Sequence, residues 1–200
     1  EKVHYALSQL SKVGNVLLIS GGLGETLDEV FKYKPEHIDY VELDPHLTEA
    51  ASELGLIKER PSLRIINDDG RNLLKNAEIK YDAIIIDLPD PDTFQLNRFF
   101  TSEFFAYSKG ILNSDGILSF GMDYSPNYIS EIRRKKLSIL YHTLRRHFGN
   151  ILLLPGQEAY FLCRDGELWS DIPSRLKEKA VPTTYIEGMF YGNVTRDRIE

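Results

Sequence analysis

The stretch VLLISGGLGETLDEVFKY, residues 16–33, with IDYVEL behind it at 38–43, carries a complete strand–turn–helix–strand unit. VLLIS is apolar on both faces, the pattern of a strand buried within a sheet rather than lying on its surface. GGLG at 21–24 breaks that run, and Leu27, Val30 and Phe31 then recur at helical spacing until Lys34-Pro35 stops the helix. Gly21, Gly22 and Gly24 therefore stand where a buried strand hands over to a helix, and glycine there lets a ligand approach the backbone closely.

The same cycle continues outward. Asp44-Pro45 opens a helix through about Leu54, with Asp44 as cap and Pro45 in the first turn. Further strands are expected at 63–67 and 81–87, a short helix at 70–77, and a helix at 99–112 that Thr101 or Ser102 caps. GILSFG at 116–121 follows a turn, and a long helix over 126–148 points Ile132, Leu137, Leu140, Leu144 and Phe148 at the sheet. The runs 150–156 and 158–164 are separated by too little chain for a crossover, so they pair antiparallel. The expectation is an α/β fold with a mostly parallel seven-stranded sheet, a C-terminal antiparallel hairpin and helices on both faces: the methyltransferase-like variant of the nucleotide-binding fold. Residues 1–167 form that domain, and 168–200 are an extension packed on it.

Glu42 ends the second strand, where an acid can accept hydrogen bonds from both hydroxyls of a ribose. Phosphate has no such signal, since Glu25 and Thr26 stand where a P-loop needs Lys and Ser or Thr. Glu25 at the helix start would repel a pyrophosphate, so the acidic cup suits a cationic sulfonium nucleoside better than a dinucleotide. Asp68 and Asp69 end the third strand at the same edge. Either could accept from an adenine amino group, or cap the helix that follows.

YDAIIIDLPDPDTFQLNRFF, 81–100, is the stretch that should carry chemistry. Asp87 ends a buried strand, and Asp90 follows in a loop stiffened by Pro89 and Pro91. With Asp92, which is expected to face solvent, three carboxylates in six residues suit a cationic amine. Asp90 and Asp87 are the catalytic candidates, and Leu88 with Pro89 could cover one face of an adenine ring.

GGLGETLDEVFKY, YVELDP, NDDG, YDAIIIDLPDP and FFTSEFF together resemble the spermidine synthase family of polyamine aminopropyltransferases, over about residues 14–164. The likeness is greatest to divergent members fused to membrane-spanning segments. It implies decarboxylated S-adenosylmethionine as donor, a polyamine as acceptor and methylthioadenosine as product. It also implies Glu42 on the ribose, Asp69 beside adenine, Asp90 acting on the attacking amine and Asp87 as its partner. The chain departs from the family at Leu23, which stands where an aspartate holds the donor's aminopropyl end. Losing that charge-assisted bond costs about 1.5–3 kcal/mol, and Glu25 is the available substitute. The family's N-terminal strand domain, which helps form the amine site and the dimer, is expected to be missing, so a further N-terminal or membrane-spanning domain and a homodimer are both compatible with the sequence.

Composition narrows the alternatives. The chain has 200 residues, a formal net charge of −6, 42 % apolar residues and one Cys, enough for a core without disulfides. Cys163 reads as a buried small hydrophobe. RRKK at 133–136 reads as a solvated helix face, so no nucleic-acid partner is expected and a small cationic amine is. The five histidines are scattered, which argues against a metal. Without a run of roughly 20 apolar residues or a signal peptide, the expected location is cytoplasmic, including as the soluble domain of a membrane-attached protein. Two other functions remain open: a methyltransferase using S-adenosylmethionine itself, and a non-catalytic nucleoside-binding module.

Overall fold

Seven strands pair into one sheet in the order β3-β2-β1-β4-β5-β7-β6 among the residues that the computed structural model describes, 1–23, 25–58, 60–123 and 129–194. They are β1 (Asn15–Ile19), β2 (His37–Val41), β3 (Leu63–Ile66), β4 (Tyr81–Ile86), β5 (Leu112–Asp123), β6 (Asn150–Pro155) and β7 (Glu158–Arg164). The first five run parallel, while β7 pairs antiparallel with both β5 and β6. This is the expected α/β architecture with its antiparallel hairpin. Parallel neighbours require crossovers, and the helices that provide them cover both faces of the sheet.

Alternation along each strand divides the core in two. Val16 and Leu18 of β1, Ile38 and Tyr40 of β2, and Ala83 and Ile85 of β4 face one layer. That layer holds α1 (Lys2–Leu7), α2 (Glu25–Phe31), α3 (Pro45–Glu53), α8 (Ile172–Glu178) and α9 (Ile186–Asn193). Leu17, Ile19, Ile84 and Ile86 face the other layer, of α4 (Gly70–Asn76), α6 (Ser102–Ile111) and α7 (Glu131–Leu144). Phe105, Phe120 and Phe161 stack within that second layer. Residues beyond 167 thus add Ile172, Leu176 and Phe190 to the first layer's core. Cys163 is buried in the second layer, and burial pushes its thiol up.

Two expectations need correction. The helix expected over 99–112 starts only at Ser102, with Thr101 as its cap as expected; α5 (Phe94–Asn97) and a 3₁₀ turn at Arg98–Phe100 precede α6. Thr101 breaks the run, because its hydroxyl accepts from Phe104 N at 3.3 Å while its backbone is extended. Ile132 does not face the sheet and is 79 % exposed, whereas Leu137, Leu140, Leu144 and Phe148 are buried. At 3.6 residues per turn, Ile132 sits about 140° around the helix from Leu137 and so leaves the apolar stripe. The start expected at 126 falls in 124–128, outside the described residues.

Candidate functional site

The parallel strands deliver their carboxyl ends to one edge, where doubly wound sheets bind ligands. β1 is followed by Ser20 and Gly21, both with positive φ (61° and 68°). Gly21 is necessary there, because a Cβ would collide with the Asp87 carboxylate as well as strain the backbone. Gly22 leaves no more room, since a Cβ would lie 2.5 Å from the Tyr40 ring. Gly24, the third expected glycine, lies outside the described residues. Leu23 packs against the first core layer.

Glu42 follows β2 and is 8 % exposed. Its Oε2 accepts from Ser20 Oγ and Tyr40 OH, both at 3.1 Å, and its Oε1 from Leu43 N at 2.9 Å. Burial raises the Tyr40 phenol, and the Glu42 charge adds to the effect. Tyr40 was legible in principle, because it precedes Glu42 by two residues and a strand repeats its faces with that period. Nothing local marks Ser20 apart from its place before the glycines.

Asp68 and Asp69 are both half-buried at the end of β3. Asp68 Oδ1 accepts from Asp69 N and its Oδ2 from Asn72 Nδ2, each at 2.7 Å. Asp69 caps α4, accepting from Arg71 N at 3.0 Å, and its other oxygen pairs with Arg98 at 2.7 Å. The capping role weighed for Asp69 is therefore present in the fold, and it fixes the carboxylate at the cup's rim.

Asp87 and Asp90 enter from β4, and each holds a lysine. Asp87 Oδ1 accepts from Lys2 Nζ of α1, which also pairs with Glu158 at 3.1 Å. Asp90 is 10 % exposed; its Oδ1 accepts from Asp123 N at 2.8 Å and its Oδ2 from Lys136 Nζ at 2.9 Å. Lys136 bonds Asp92 as well, at 2.8 Å. Burial alone would lower the Lys136 ammonium, but the bonds to Asp92 and Asp90 outweigh it and raise the group above its ordinary value. Asp92 faces solvent at 71 %, as expected. Leu88 packs on the second core layer and Pro89 is exposed. RRKK is thus more than a solvated face: of its four cations, Lys136 reaches the acidic loop.

A cleft of about 730 Å³ opens at the opposite, amino edge, lined by Gln9, Asn15, Asp82, Asn113, Arg164 and Trp169. Its Asp82 is committed to the backbone N–H groups of Gly14 and Asn15 and to Asn113 Nδ2. The glycine turn, Glu42 and the loop acids are all at the carboxyl edge instead. Among the described residues no three His, Cys, Asp or Glu side chains gather to hold a metal, and no helix is long and apolar enough to cross a membrane.

A family model described as spermine/spermidine synthase domain matches residues 2–137. Polyamine aminopropyltransferase 1 of Streptomyces coelicolor is 32 % identical over 176 residues, covering 78 % of this chain and 33 % of that protein. The chain spans about a third of the length of such curated relatives. Spermidine synthase from Thermotoga maritima superposes with a TM-score of 0.74 at 23 % identity, over 97 % of this chain and 69 % of that one. Human methyltransferase-like protein 13, solved with SAH, gives a TM-score of 0.68 at 16 % identity, over 96 % and 92 %. At these identities the two structures speak to the fold, which is methyltransferase-like.

Proposed function

We propose, since the chain belongs to the spermine/spermidine synthase family, that it is the catalytic unit of an aminopropyl transfer from decarboxylated S-adenosylmethionine to a small polyamine. The observation that carries this reading is the pair of acids Asp87 and Asp90 at the end of β4, each already holding a primary ammonium. A loop that seats a lysine ammonium on a carboxylate provides the chemistry an alkyl amine needs.

The residues of the cup fit a nucleoside donor. Glu42 is a buried carboxylate oriented by Ser20 and Tyr40, suited to hold a ribose diol, with the Gly21–Gly22 backbone beside it. Asp69, with Asp68 behind it, serves the adenine edge, and Leu88 and Pro89 cover the ring. When bound, the donor supplies a carbon activated by its sulfonium. The acceptor must attack as a neutral amine, although an alkyl ammonium has a reference pKa of about 10.4. Asp90 takes or relays that proton, Asp87 holds the amine in line, and the rest of the rate comes from positioning. Leu23 leaves the donor's far end without the family's carboxylate, and we take Glu25, exposed at the start of α2, as the residue that replaces it.

The test is turnover of the full chain with either donor and 1,4-diaminobutane. Methylthioadenosine released only from the decarboxylated donor supports aminopropyl transfer. Methyl transfer from S-adenosylmethionine, or nucleoside binding with no turnover of either donor, would replace this reading.

A further inference from the structure

The loop acids are not vacant carboxylates awaiting a substrate. Asp90 has one bond on each oxygen, from Asp123 N–H and from Lys136, and Lys136 spans Asp90 and Asp92 at 2.9 and 2.8 Å. Lys2 likewise hydrogen-bonds Asp87, with Glu158 as the second ion-pair partner of its ammonium. A lysine side chain ends in a primary ammonium on a four-carbon stem, which is chemically the end of an alkyl polyamine. Each acid proposed to act on the acceptor is therefore occupied by a tethered copy of the acceptor's own functional group.

The two lysines differ in how firmly they are held. Lys2 is more enclosed than Lys136, which is 29 % exposed and extends from a helix to a loop. Its second partner, Asp92, stands largely in solvent, where screening weakens the pair. Lysine is also a flexible point charge rather than a fixed fork, so another ammonium can replace it without a change in geometry.

We propose that Lys136 occupies the acceptor's ammonium position on Asp90 and Asp92 and sets acceptor affinity by having to be displaced. This rests on the reading of the loop as an amine site. Removing the Lys136 ammonium frees two carboxylates for an incoming cation and abolishes the competition. An arginine in its place keeps the competition, with a charge that cannot be lost and a fork that can bridge both acids.

The experiment is calorimetric titration of 1,4-diaminobutane into the full chain with methylthioadenosine present, comparing the parent, Lys136→Met and Lys136→Arg. The expected result is binding about tenfold tighter in Lys136→Met, a step of about 1.4 kcal/mol, and unimproved in Lys136→Arg. Affinity unchanged or weaker in Lys136→Met, or no diamine binding in any of the three, overturns the proposal. Methylthioadenosine affinity on the same samples checks that the cup is intact. Lys136→Gln, which retains a donor for Asp90, replaces the methionine variant if the latter does not fold. Because the titration needs no turnover, a parent that binds diamine without transferring an aminopropyl group refutes the catalytic reading alone.

Discussion

Two carboxylates, Asp39 and Asp90, are each enclosed by protein and paired with a cation, yet their surroundings differ in kind. Asp39, in the middle of β2, is fully buried and accepts from both Nε and Nη2 of Arg64 at 2.6 and 2.7 Å, from His37 at 2.8 Å and from Tyr81 OH at 2.5 Å. Its donors come from β2, β3 and β4, which the sheet ladder holds in register. Asp90 has one backbone donor and one lysine, whose helix stands apart from the strand ladder. A saturated acid on rigid strands contributes to the fold. An acid whose cation is a single long side chain is available for exchange, as a binding group must be.

Substitution at each acid should separate the two. Asp90→Asn is expected to reduce methylthioadenosine release about a thousandfold by removing the proton acceptor, while the melting temperature hardly moves. A similar loss of stability would make Asp90 a second Asp39. The converse change, Asp39→Ala, should cost about 3 kcal/mol in urea unfolding, because it strands the buried Tyr81 hydroxyl and unpairs Arg64. Activity per folded molecule should survive it.

Acid sharpens the second test. Burial alone would raise the Asp39 carboxyl, but the bonds from Arg64 and Tyr81 and the charge of His37 outweigh it and hold the group below the usual range. A depressed carboxyl stabilises the fold above its unfolded value of about 3.9, and that contribution is lost as pH falls through the native value. The parent should therefore lose stability below about pH 4 more steeply than Asp39→Ala does. The smallest effect is expected at Glu42. Glu42→Gln keeps the shape and one acceptor, and should weaken methylthioadenosine binding about tenfold. An unchanged affinity would place Glu42 with Asp39, among the acids that only hold strands and turns in place.

How far the sequence could be read follows the range of the interactions. The strand–glycine–helix–strand unit was legible because its signals are local: a run of apolar residues, three glycines within four positions, a period of 3.6, then an acid at a strand end. Asp44 and Thr101 as helix caps were equally local. The partners of the loop acids were not, since Lys136 lies 46 residues from Asp90 and Lys2 lies 85 from Asp87. Within RRKK nothing in the order of residues selects Lys136, because that choice depends on where α7 crosses the loop. Leu23 read as a missing carboxylate, and only the packing explains it as part of the first core layer. Ile132 was assigned to the core on hydrophobicity, although its angle around the helix excluded it.

The joint between the two ends of the described chain has a consequence for how the molecule is made. Gln9, just beyond α1, exchanges two hydrogen bonds of 2.8 Å with the backbone of Trp169, 160 residues away, and Arg164 donates to its carbonyl. Ile172, Leu176 and Phe190 then complete a core layer that Val3, Leu7 and Val16 began. During synthesis β1, β2 and β4 emerge before that cover, so the part of the sheet face that Ile172, Leu176 and Phe190 seal stays open until they arrive. Such long-range closure slows folding and prolongs the interval in which partly covered chains can associate.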